Sequence, residues 1–124
     1  MEKTRVLVKN LLKDLGASPE IKGFRYLTDA ILMVIEDENI LYQGITKVVY
    51  PNIADKYKGA TASQVERAMR HCIERVFERG DYDLIDEIFK HTTSFNKGKA
   101  TNAQFIAMLA DYLVCKYDLS GDDE

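Results

Sequence analysis

Ser63, Gln64, Arg67, Arg70 and His71 recur at spacings that place them on one side of a helix. At 100° per residue they share that side with Glu74 and Glu78, and Glu66 lies near its border. Val65, Ala68, Met69, Cys72, Ile73 and Val76 form the opposite, apolar stripe. Arg, Gln, Ser and His are the side chains that read base edges and hold phosphates, and a helix of this width fits a major groove. A charged face on an amphipathic helix is also what any solvated helix shows, so the elements around it must decide.

Those elements have the order of a helix-turn-helix. Thr61-Ala62-Ser63-Gln64 matches a capping box and starts the helix that Gly80 stops. Before it, Thr46 to Tyr57 reads as a helix with Pro51 inside, either as a first-turn residue or as a kink; a distorted first half is expected. Lys58-Gly59-Ala60 is the turn. Ala54 is small enough for close approach, and Ile53, Tyr57, Val65 and Met69 would close the corner. Such spacing alone is moderately specific.

The rest of the chain is read as helical too, giving an all-α domain of six helices with the helix-turn-helix at helices three and four. The first helix spans Thr4 to Leu15 and stops at Gly16. The second starts at Ser18-Pro19-Glu20, with Ser18 as cap, and runs to about Asp37. Its acidic end, Glu36-Asp37-Glu38, is either a solvated terminus or a docking point for a basic partner. Ile40 to Gly44 is a short connection. The fifth helix covers Tyr82 to Lys90, a loop follows, and Thr101 or Asn102 caps a sixth helix running to about Lys116. Residues 1–117 form the domain and 118–124 an acidic, frayed tail.

Composition agrees. The 124 residues are 46% hydrophobic and 30% charged, as in a globular domain. The net charge of −3 excludes a generally basic nucleic-acid coat. Residues 56–79 nevertheless carry Lys56, Lys58, Arg67, Arg70, Arg75 and Arg79 against Glu66, Glu74 and Glu78. The blocks on either side are net negative, so the positive potential is concentrated on this helix and its turn. Cys72 and Cys115 belong to no CxxC pair, and His71 and His91 lack metal-finger spacing. No metal or cofactor is expected. Cys72 is placed in the core and Cys115 part-buried. No secretory signal or membrane span is read, which suits a cytoplasmic protein.

Several runs carry a more specific signal. Gly44-Ile45-Thr46-Lys47-Val48-Val49-Tyr50-Pro51-Asn52-Ile53-Ala54, Thr61 through His71, Thr101-Asn102-Ala103-Gln104-Phe105-Ile106-Ala107-Met108 and Ile21 through Leu27 together resemble the DNA-binding effector domain of the stage-zero sporulation response regulator of endospore-forming bacteria. The resemblance covers about residues 5 to 116. It implies a six-helix domain that binds double-stranded DNA at a box like TGTCGAA, as tandem copies that admit a homodimer. It also implies contact with a sigma factor of RNA polymerase, placed here at Gly80 to His91. By position it implies base contacts from Gln64, Glu66 and Arg67, with Arg67 on a guanine edge and Glu66 on a cytosine amino group. It implies phosphate contacts from Ser63, Arg70 and His71, and from Lys97 and Lys99 in a flanking loop.

The chain departs from the family pattern in three respects. Gln64 stands where the family has Arg, and Gln suits adenine or a phosphate. The turn Lys58-Gly59-Ala60 is one residue longer. The family's receiver domain, with its phosphorylated Asp, is not in this sequence, which fits an excised domain or a stand-alone relative. An enzyme is not expected: Asp81, Asp83, Asp86 and Glu87 cluster at a helix start, where acids belong, and no nucleophile-base order or phosphate loop is present. The reading is a sequence-specific DNA-binding transcription regulator. The alternative is an interaction module of the same fold that modulates a full-length regulator or polymerase.

Overall fold

Helix α2 (Lys22–Glu36) is the element the others pack on, because its apolar residues occur on nearly every side. Phe24, Leu27, Ala30, Ile31, Leu32 and Val34 are all buried along it. The computed structural model describes residues 2–89 and 100–119, and those residues are helical with no strand among them. Around α2 lie α1 (Glu2–Asp14), α3 (Asn39–Gln43), α4 (Tyr50–Lys56), α5 (Ala62–Arg79), α6 (Tyr82–Phe89) and α7 (Asn102–Tyr117). α2 touches α1, α5 and α7 directly, and α4 packs on α5. Phe89 and Phe105, both fully buried, stack within the core with ring centroids 5.7 Å apart.

Seven helices are therefore described where six were expected. The additional one is α3, in the segment expected to be a connection, held by the burial of Ile40 and ended by Gly44 at φ 110°. Between α3 and α4, Ile45–Val49 winds with wider, π-type turns. Pro51 then sits in the first turn of α4. The expected distortion and the first-turn proline are thus both present, in succession.

The start of α2 also differs from expectation. Ser18 does not cap it; its carbonyl accepts from the Ile21 amide at 3.1 Å, closing a turn through Pro19, and the helix begins at Lys22. Gly16 ends α1 as expected, at φ 102°. Gly80 ends α5 in extended backbone, and its need for glycine is steric: a Cβ there would collide with the carbonyls of Leu15 and Val76. The ends of α1 and α5 thus meet glycine to glycine.

Cys72 is buried as expected, whereas Cys115 is exposed, because the helical turn carries it off the Leu113 stripe and out to solvent. His91, Lys97, Lys99, the end of the fifth predicted helix and the tail beyond Leu119 lie outside the described residues.

Candidate nucleic-acid interface

The helix-turn-helix consists of α4, the turn at Lys58–Ala60, and α5. Ile53, Val65 and Met69 are buried in its corner, with Ala54 packed beside them. The capping box at α5 is complete. The Thr61 hydroxyl accepts from the Gln64 amide at 3.1 Å, and the Gln64 side-chain oxygen accepts from the Thr61 amide at 2.9 Å. This fixes where the first turn of α5 points. Gly59, at φ 93°, turns the chain into it.

The outer face of α5 is as the periodicity predicts. Ser63, Gln64, Arg67, Arg70, His71, Glu74 and Glu78 are exposed, while Val65, Met69, Cys72, Ile73 and Val76 are buried. Among the described residues Arg67 forms no ion pair, which leaves its guanidinium free for an outside acceptor. Arg70 donates to Glu66 one turn back at 3.2 Å. Such an exposed i,i+4 pair contributes only about 0.3–0.5 kcal/mol, so either partner exchanges it readily for a stronger contact. Gln64 caps through its amide oxygen, and its Nε2 donors take no part in the cap.

Two polar nodes hold this face in place, and neither is read from the sequence, where Asn102 enters only as an alternative to Thr101 as a helix cap; Thr101 is the cap. Asn102, buried at the start of α7, donates to the Tyr50 hydroxyl at 2.9 Å and to the Glu66 carbonyl at 3.0 Å. It joins α4, α5 and α7. Burial pushes the Tyr50 phenol above its usual pKa. Asp29, buried in α2, accepts from Arg5 and Lys56, each at 3.2 Å, and from the Tyr57 hydroxyl. It fastens the end of α4 to the scaffold. Burial, with the Asp29 hydrogen bond next, pushes the Tyr57 phenol up to about 12. An Asp within one helix and an Asn at the start of another give no sequence signal of such roles, because their partners are remote in the chain.

Residues 8–113 match the family described as the C-terminal region of sporulation initiation factor Spo0A. The chain belongs to that family. The Spo0A C-terminal family is a helical DNA-binding domain of transcription regulation in sporulation, and it is not an enzyme family. Among the described residues no group of His, Cys, Asp and Glu is arranged to hold a metal ion, and no helix is long and apolar enough to cross a membrane.

Proposed function

We propose that this Spo0A-type domain reads duplex DNA sequence by laying α5 in the major groove. The observation that carries the reading is the exposed, unpaired Arg67 at the centre of the α5 outer face, flanked by Ser63, Arg70 and His71. Arg67 reads a guanine edge through its two-pronged donor geometry, and Glu66, released from Arg70, accepts from a cytosine amino group. Ser63, Arg70 and His71 hold phosphates. Gln64 serves a phosphate through Nε2 without disturbing its cap; pairing with an adenine also needs the capping oxygen and forfeits about 1 kcal/mol of helix stabilisation. Lys97 and Lys99 reach the flanking backbone by the same resemblance. The setting is the cytoplasm, where the DNA is.

The family resemblance extends the reading to a sigma factor of RNA polymerase, docking at Gly80 to His91, and to two copies side by side on tandem boxes. The exposed carboxylates Asp81, Asp83 and Glu87 are what α6 offers such a partner.

The test is Arg67→Ala. Binding to a duplex carrying the TGTCGAA-like box should weaken by about 1–3 kcal/mol, with binding to a scrambled duplex nearly unchanged. Equal loss on both duplexes would make Arg67 a backbone contact and overturn its role as a base reader.

A further inference from the structure

We infer that the cleft between the start of α2 and the turn before α5 is a second contact site for the duplex DNA backbone, blind to sequence, beside the groove that α5 enters. The inference rests on the reading that α5 lies in the major groove.

The cleft encloses about 760 Å³ and is walled by Lys22 and Arg25 of α2, by Lys56, Tyr57 and Lys58, and by Gln64 of α5. Four cations therefore line it against one carboxylate, Glu20. Lys22 and Arg25 are remote from the others in sequence, and the fold alone brings them together. What brings them is Gly23, whose missing Cβ lets the first turn of α2 lie directly on the Ala68 carbonyl of α5.

Two of the four cations, Arg25 and Lys56, are held against Tyr57. The Arg25 guanidinium sits 5.4 Å and the Lys56 ammonium 5.5 Å from the centre of the Tyr57 ring. The ring is itself pinned through its hydroxyl to Asp29. Lys56 spends part of its charge on Asp29 at 3.2 Å. Lys22, Arg25 and Lys58 form no ion pair among the described residues, and all three are exposed. Charges spread along an open cleft match a chain of phosphates better than a single enclosed anion. Gln64 belongs to both the cleft and the outer face of α5, so the two surfaces are continuous.

The test is the triple variant Lys22→Gln, Arg25→Gln, Lys58→Gln, compared with the wild type on box and scrambled duplexes over a range of salt. Affinity should fall by the same factor for both duplexes. The slope of log K against log salt should shrink by about 2–3, from about 0.9 per phosphate released. Arg25→Lys alone should retain most of the binding, since a backbone contact needs charge and not the planar fork. Unchanged slope and affinity would overturn the inference, as would a loss confined to the box duplex. The reading of α5 is tested by a different quantity, the wild-type preference for box over scrambled. A wild type without that preference but with the cleft-dependent slope would reject α5 as a base reader and keep the cleft. A wild type that binds neither duplex would overturn both.

Discussion

Gly23 of α2 lies against the backbone of α5: a Cβ built on it would collide with the Ala68 carbonyl and stand 2.8 Å from the Cys72 Cβ. The helix that anchors the core and the helix with the free arginine therefore touch backbone to backbone. The orientation of the outer face of α5 depends on this contact.

Gly23→Ala should destabilise the domain. In a helix interior that exchange ordinarily gains about 0.8–1 kcal/mol. Here the obstacle is a backbone carbonyl, which cannot step aside as a side-chain tip can. The helices must separate, at a cost of about 1–3 kcal/mol. A lower thermal midpoint with retained helicity is the expected result; an unchanged or raised midpoint would show that the contact has slack.

Asn102→Ala should cost about 1–3 kcal/mol, because it removes the donor shared by the Tyr50 hydroxyl and the Glu66 carbonyl at a buried junction of three helices. Urea unfolding measures it. The same variant at an idle surface position would change stability by only a few tenths of a kcal/mol.

The two thiols should react very differently. Burial pushes the Cys72 thiol up to about 11, whereas Cys115 is exposed. A thiolate-seeking reagent at pH 8 should label Cys115 promptly and Cys72 only on unfolding. Rapid labelling of both in the native protein would contradict the core position of Cys72.

Tyr57 gives the domain an alkaline limit. Its folded pKa, about 12, lies above the ordinary value of 10.0, so the folded state favours the neutral phenol. Its contribution is complete below pH 10 and is lost as pH rises towards 12. Tyr57→Phe should be less stable at neutral pH, with a shallower decline of stability between pH 10 and 12. A difference titration of tyrosinate absorbance between the two proteins would show the missing late-titrating phenol.

The helices that run along one apolar stripe were legible in the sequence, and so was the outer face of α5, because helical periodicity alone sorts Arg67 from Met69. The capping box at Thr61 was legible for the same local reason, whereas the cap of α7 was legible only as Thr101 or Asn102, and it is Thr101. Three kinds of feature were not. The start of α2 was misplaced because Ser18-Pro19 serves a turn as well as it serves a cap. α3 was missed because a single buried residue, Ile40, leaves no period to read. The nodes at Asp29 and Asn102, and the meeting of Lys22 and Arg25 with the α5 turn, are tertiary: Arg5, Asp29 and Tyr57 share nothing in sequence that announces their contact.

The most direct test is fluorescence anisotropy of labelled duplexes with the wild-type protein, one carrying the TGTCGAA-like box and one scrambled, at several salt concentrations. Tight binding that prefers the box and weakens steeply with salt is the expected result. Equal and weak binding to both would contradict base reading by α5, and would favour a domain of this fold that acts through a protein partner.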